Sequence, residues 1–201
     1  MEVSNVSVGQ IVTAVVGRAD AGRTVVSLDG RAGAGKSTLA AAVAASLEGV
    51  HDVAVVHGDD FFRPLSPAER LAMRPQDGYG QLFAWRRLRD QALVPLSEGR
   101  PAHYAPYDPA TNSLCYGAPR TVPPAQVVIV EGTLTARPEL AAFYHLTVFV
   151  DTPSQECLRR LLARGRGPAR EAWIVCWRAV EEHYLATTDV RARADLTVTG
   201  V

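Results

Sequence analysis

The chain has 201 residues, 47% hydrophobic and 21% charged, with 21 basic residues balanced by 21 acidic ones. That size and composition fit one soluble globular domain over residues 1–201, with a sizeable core. Zero net charge gives no bulk attraction to nucleic acid or a membrane surface, and no apolar run reaches the length of a span, so neither partner is expected. Glu2 and the lack of a basic n-region argue against a secretory signal. Cys115, Cys157 and Cys176 are odd in number and widely spaced. They fit a reducing cytoplasm and build neither a disulfide frame nor a zinc site.

Residues 3 to 21 carry no charge until Arg18, and a short helix is predicted around Gly9 to Val16, outside a sheet. Thr24 to Leu28 is a β-rich run with its strand at Val25–Leu28, broken by Asp29-Gly30. There follows Gly30-Arg31-Ala32-Gly33-Ala34-Gly35-Lys36-Ser37-Thr38, which reads G-x-x-x-x-G-K-S, a phosphate-binding loop. Its glycines let the backbone bring N–H groups around a phosphate. Lys36 supplies a point charge, and the Ser37 hydroxyl can ligate Mg²⁺. Lys36 is the only lysine in the chain. The helix from Lys36 to about Leu47 places the loop at a helix N-terminus.

Val53 to His57 is the second strand, and Gly58-Asp59-Asp60-Phe61-Phe62-Arg63-Pro64 follows it. Two carboxylates there read either as a solvated turn capping the next helix or as ligand-end acids of an open α/β sheet. Beside a phosphate loop the second reading is favoured, because phosphoryl transfer needs a carboxylate to accept the hydroxyl proton. Ser66-Pro67-Ala68-Glu69 has capping-box spacing, so a short helix starts there. Phe83 to Leu96 is read as a helix with its arginines solvated. Residues 97 to 124 show no convincing regular element. Their tyrosines, Tyr104, Tyr107 and Tyr116, either cover the core edge or form a binding loop.

Val127 to Val130 is the third strand, closed by Glu131-Gly132 in the shape of a Walker-B element, whose acid holds Mg²⁺ directly or through water. Leu146 to Val150 is the fourth strand, and Ser154 to Leu162 a helix. Arg159, Arg160, Arg164, Arg166 and Arg170 then read as a solvated helix face or as a mobile lid over phosphate, about 159–172. Trp173 to Leu185 is a long helix whose Trp173, Trp177 and Tyr184 are read as core. Leu196 to Thr199 is the last strand. The pattern predicts an α/β fold: a doubly wound, mostly parallel five-stranded sheet with helices on both faces.

These residues resemble the uridine kinase-like P-loop kinases, in the wider group of nucleoside, pantothenate and phosphoribulose kinases. The carriers are GRAGAGKST (30–38), GDDFFRP (58–64), FAWRRLRDQALVPL (83–96), GRPAHYAPYD (99–108), VVIVEG (127–132), the Arg-rich segment after FVDTP and RADLTVTG (193–200). The resemblance implies ATP and Mg²⁺ as cofactors and a small-molecule hydroxyl, such as that of a nucleoside, as acceptor. It makes Asp59 the base, with Lys36, Arg164 and Arg166 assisting, and Ser37, Glu131 and Asp59 near the metal. Gly30, Ala32, Gly33, Ala34, Gly35, Lys36, Ser37, Thr38 and Arg160 would hold ATP, and the turn near Asp195 to Gly200 would lie by the adenine. Acceptor contacts are expected within about 59–82 and 99–118, from Asp60, Phe61, Tyr79, Phe83, Tyr104, Tyr107 and Asp108.

Two departures stand out. Relatives tend to read G-Y-D and F-D-W where this chain has Gly78-Tyr79-Gly80 and Phe83-Ala84-Trp85, and their P-Y-D-W is Pro106-Tyr107-Asp108-Pro109 here. The phosphate half is intact and the acceptor half altered, which leaves a non-nucleoside alcohol as the alternative acceptor. A nucleotide-dependent ATPase or switch protein is the second alternative. A homo-oligomer is compatible with all of these.

Overall fold

A computed structural model describes residues 5–165 and 167–200. Helix α1 (Asn5–Ala19) precedes strand β1 (Thr24–Gly30), helix α2 (Lys36–Leu47) and strand β2 (Val53–His57). Three short helices follow: α3 (Pro67–Ala72), α4 (Pro75–Gln81) and α5 (Trp85–Leu88). A π turn at Arg89–Leu93 leads from α5 into α6 (Val94–Ser97). Then come strands β3 (Ala102–Tyr104), β4 (Tyr107–Asp108), β5 (Ser113–Leu114), β6 (Arg120–Val122), β7 (Val127–Glu131) and β8 (Leu146–Asp151). Helices α7 (Ser154–Ala163), α8 (Pro168–Thr188) and α9 (Val190–Arg193) and strand β9 (Leu196–Thr199) complete the chain.

The main sheet runs β2-β7-β1-β8-β9, all parallel, with Val26 opposite Ile129 on one side and Leu146 on the other. Alternate residues of each inner strand point to opposite faces. Both faces are covered, so the strands are apolar throughout rather than alternating. Val26, Leu28, Ile129 and Val148 pack under α1 and α2, whereas Val25, Val128, Val130 and Phe149 pack under α5, α8 and the turn after β2. The strand ends β1, β2 and β7 therefore converge on one edge, where the phosphate loop, the Asp59 turn and Glu131 emerge.

The predicted strands and the main helices are present, with three corrections. Helix α1 is longer than the predicted Gly9–Val16. Ile11, Val15 and Ala19 repeat every fourth residue on its buried face, Ser7 Oγ donates to Thr199 O, and Arg18 holds the C-terminal end through Ala14 O and His145 O. The predicted Phe83–Leu96 helix begins at Trp85, because Phe83 instead pairs across an antiparallel bridge with Phe62. Within it, Pro95 lacks the amide that would reach Gln91, and the helix widens into a π turn there. Residues 97–124, read as irregular, hold two small antiparallel pairs, Ala102–Tyr104 with Arg120–Val122 and Tyr107–Asp108 with Ser113–Leu114. No helix among the described residues is long and apolar enough to cross a membrane.

Candidate active site

The phosphate loop leaves β1 with Gly30, Gly33 and Gly35 at φ of 150°, 84° and 95°. At Gly30 a Cβ would meet Val150 O at 2.5 Å, and at Gly33 it would meet Cys157 O at 2.7 Å, so the loop needs glycine for space as well as for torsion. Buried acids hold it in shape. The fully buried Asp29 carboxylate accepts from Gly30 N at 2.5 Å, Ala136 N at 2.7 Å and Tyr184 Oη at 2.8 Å. Burial pushes its carboxyl up, against these hydrogen bonds and the Lys36 charge. From α8, Glu181 accepts from Ala32 N at 2.6 Å and Trp177 Nε1 at 2.8 Å, and Glu182 takes Arg31 through both oxygens. Burial likewise raises the Glu181 carboxyl. Neither Asp29 nor Glu181 stands out in the sequence. Asp29 looks like a strand-ending turn residue and Glu181 like a solvated helix acid.

Lys36 is buried, its Nζ donating to Gly30 O (2.9 Å), Arg31 O (2.8 Å) and Thr133 Oγ1 (3.1 Å). Ser37 and Thr38 begin α2 and are exposed to a cavity of about 520 Å³. Ala32, Gly33, Gly35 and Lys36 line it too, whereas Gly30 and Ala34 do not: Ala34 is in the core, and its carbonyl accepts from Thr152 Oγ1. Arg160 donates to Gly33 O at 3.3 Å, behind the loop, and to Glu156. At the C-terminal end Gly200 packs against the same loop, where a Cβ would lie 2.2 Å from Ala34 O.

Across the cavity a 3₁₀ turn, Gly58–Phe61, presents Asp59 from the end of β2. Its side chain is open to the cavity yet walled by protein. Burial and the neighbouring Glu131 charge raise its carboxyl, and Lys36 pulls the other way. Glu131 is itself nearly buried at the end of β7, and its Oε1 lies 2.7 Å from His57 Nδ1. That hydrogen bond is the main reason the His57 imidazole is raised. Asp60 is buried and tied: Arg120 Nε is 3.2 Å from its Oδ2, and Tyr104 Oη donates to the same oxygen at 3.2 Å.

Several expected acceptor contacts are elsewhere. Phe61 and Phe83 are enclosed in the core, Phe61 packing on Tyr104 with ring centroids 4.6 Å apart. Tyr104 is buried as well and serves Asp60 rather than the cavity. Tyr79 stacks on Tyr184 at 5.8 Å and lies under Arg137 at 4.5 Å, away from the cavity lining. Asp108 turns its carboxylate onto its own hairpin, accepting from Ala110 N and Thr111 Oγ1. Tyr107 and Asp60 do line the cavity, as does the exposed Arg164; Arg166 lies outside the described residues.

Trp173 and Trp177, read as core, form a cavity wall, although Trp177 is also nearly buried. Arg63, Arg70, Arg120 and Arg170 complete its charged lining. Arg87, read as solvated, is half-buried over the Phe61 ring and donates to Ala105 O. Among the described residues no three His, Cys, Asp or Glu side chains are grouped as a metal cage. One hydroxyl, Ser37, with the carboxylates Glu131 and Asp59, suits Mg²⁺, which keeps waters and takes phosphate oxygens beside one or two protein carboxylates.

The architecture is that of a P-loop kinase. It matches a structure described as a possible uridine kinase from Bacillus stearothermophilus, with TM-score 0.73, 24% identity, and 95% of this chain and 96% of the other covered. A candidate fructose transport system kinase from Silicibacter sp. TM1040 matches with TM-score 0.68, 24% identity and coverages of 95% and 98%. A D-glycerate 3-kinase from Cryptococcus neoformans matches with TM-score 0.55, 13% identity and coverages of 88% and 87%. The chain thus has the fold expected from its resemblance to uridine kinase-like enzymes, and the solved neighbours sharing it are described as different kinases. No family model and no curated protein matches the chain.

Proposed function

We propose that the protein is an ATP-dependent kinase that moves the γ-phosphoryl group to a hydroxyl of a small molecule. The observation that carries this reading is one cavity lined on one side by Lys36, Ser37 and the loop backbone, and on the other by Asp59, with Glu131 also in its wall. Lys36 and the loop amides hold the β- and γ-phosphates and neutralise their charge. Ser37 and Glu131 would hold Mg²⁺, with Asp59 near it; bound there, the ion would supply charge stabilisation to the transferring group.

Asp59 accepts the proton of the acceptor hydroxyl as its oxygen forms the new O–P bond and the bond from γ-phosphorus to the bridging oxygen breaks, releasing ADP. A carboxyl raised above the ordinary range is a better base than a solvated one, and it must be ionised to act. Arg164 spreads the charge of the transferring group and excludes water.

The test is ADP release from Mg-ATP with and without a panel of hydroxyl compounds, uridine and cytidine among them, beside Lys36→Ala. Acceptor-dependent release that Lys36→Ala abolishes supports a kinase. Slow release indifferent to every acceptor favours an ATPase or switch protein. Failure to bind ATP or ADP with Mg²⁺ removes the reading.

A further inference from the structure

Among the described residues the cavity is lined by six basic side chains: Lys36 and Arg164, assigned above to the phosphates, and a second set of Arg63, Arg70, Arg120 and Arg170, the last donating to Leu161 O. Of the second set, Arg120 is committed to Asp60. Arg63 lies near Glu69, whose carboxylate caps α3. Arg70 has no acidic partner among the described residues; its Nη2 donates to Tyr107 Oη at 2.6 Å and to Asn112 Oδ1. The guanidinium lies 5.2 Å from the Trp173 ring centroid and 5.8 Å from that of Tyr107. Asn112 in turn donates to Leu65 O at 3.0 Å, so the fork is held from two loops.

Neutral groups therefore fix a half-buried cation at the cavity wall, and its Nε and Nη1 make no hydrogen bond to protein among the described residues. Partial burial weakens the hydration of a cation, and an arriving anion offsets that loss. A guanidinium restrained through Nη2, with Nε and Nη1 free, can donate charge-assisted hydrogen bonds from either atom to a carboxylate or phosphate. Trp173 beside it offers a flat apolar face for the body of the ligand.

We infer that the acceptor is a small hydroxyl compound bearing an anionic carboxylate or phosphate group, which Arg70 holds beside Trp173 while the hydroxyl reaches Asp59. This inference rests on the kinase reading for the role of the hydroxyl, but not for the anion site itself. It separates the chain from kinases of neutral nucleosides at a definite residue.

The experiment is a tryptophan-fluorescence titration of the chain saturated with Mg-ADP, so that the phosphate side is filled. The probes are matched pairs: glycerate and glyceramide, mandelate and mandelamide, ribose 5-phosphate and ribose. The expected result is that the anion of at least one pair binds tenfold or more tighter than its neutral partner. Arg70→Gln removes that preference and leaves ADP affinity within twofold. Arg70→Lys, which keeps the charge without the restrained guanidinium donors, retains part of it; a merely structural Arg70 would lose it equally in both variants. No anion binding better than its neutral partner, or a preference that survives Arg70→Gln, overturns the inference. Anion binding at Arg70 in a chain that binds neither ATP nor ADP upholds the site and sinks the kinase reading instead. The carboxylate and phosphate pairs show which anion is taken.

Discussion

At the phosphate end of the cavity the run from Gly30 to Thr38 supplies Ala32, Gly33, Gly35, Lys36, Ser37 and Thr38 to the wall, and fully or nearly buried carboxylates hold its backbone. At the acceptor end Asp59, Arg70, Tyr107, Arg120 and Trp173 come from five separate elements. Arg70 meets Tyr107 and Trp173 through a hydrogen bond and a ring contact, while Arg120 is tied to Asp60. The first end is backbone fixed by close packing, where a single added methyl group collides. The second is a set of side chains that, Trp173 on α8 apart, stand on short elements, one of which, α3, has no fully buried residue. Phosphate geometry is the same for every ATP, so a rigid cradle suits it. An acceptor pocket assembled from side chains can be rewritten one contact at a time.

The largest expected effect falls where the two ends meet. Asp59→Asn lowers kcat by about 10²–10⁴ in the ADP-release assay while ADP affinity stays near that of the native chain. A large loss of nucleotide affinity would instead assign Asp59 to the metal. In the native chain kcat/KM falls as pH drops through the raised Asp59 value of the ligand-free protein, so its acid limb lies above 3.8, the ordinary aspartate value. The same shift has a sign for stability. The folded chain binds this proton more tightly than the unfolded one, so the group favours folding below 3.8 and loses that contribution as pH rises through its raised value. Asp59→Asn therefore raises the urea midpoint at pH 7 and leaves it unchanged at about pH 3. A lower midpoint at pH 7 would mean that Asp59 stabilises the turn.

Next comes the stiffness of the phosphate end. Asp29→Ala leaves Gly30 N, Ala136 N and Tyr184 Oη without their acceptor. Each buried group left unpaired costs about 1–3 kcal/mol, read as a lower urea midpoint. The smallest effect is expected at the acceptor end. Ser66→Ala breaks a capping box and costs α3 about 1 kcal/mol. Because α3 has no fully buried residue, the loss stays local: the melting temperature barely moves, while KM for the acceptor rises as Arg70 loses its support. Equal losses of global stability from Asp29→Ala and Ser66→Ala would erase the distinction between the two ends.

The same contrast explains what could be read from the sequence. The loop, Glu131 and the Asp59 turn are local patterns tied to apolar strands, so their placement at one edge of the sheet was legible together with the strands. Phe61, Phe83 and Tyr104 carry no local mark that separates a core ring from a ligand-facing one; only the packing of β3 against β6 and of the turn after β2 decides it. The strands between residues 102 and 122 are two or three residues long, too short for an alternation to register. Trp173 and Trp177 sit at helical spacing, which gives a common face but not what lies opposite. Glu181 and Asp29 act on the loop from α8 and from β1's end, and Glu181 has no sequence neighbour in common with its partner Ala32.

Helix α8 gives the protein something a bare nucleotide cradle lacks. Over 21 residues, about 30 Å, one rod carries Trp173 at the acceptor wall, Trp177 and Glu181 at the loop, and Tyr184 on Asp29. These positions recur on one side of it. One helix thus fixes the distance between the Trp173 wall and the Ala32 amide, since both are held by the same rigid body. A substitution that shifted this helix would displace both walls of the cavity together.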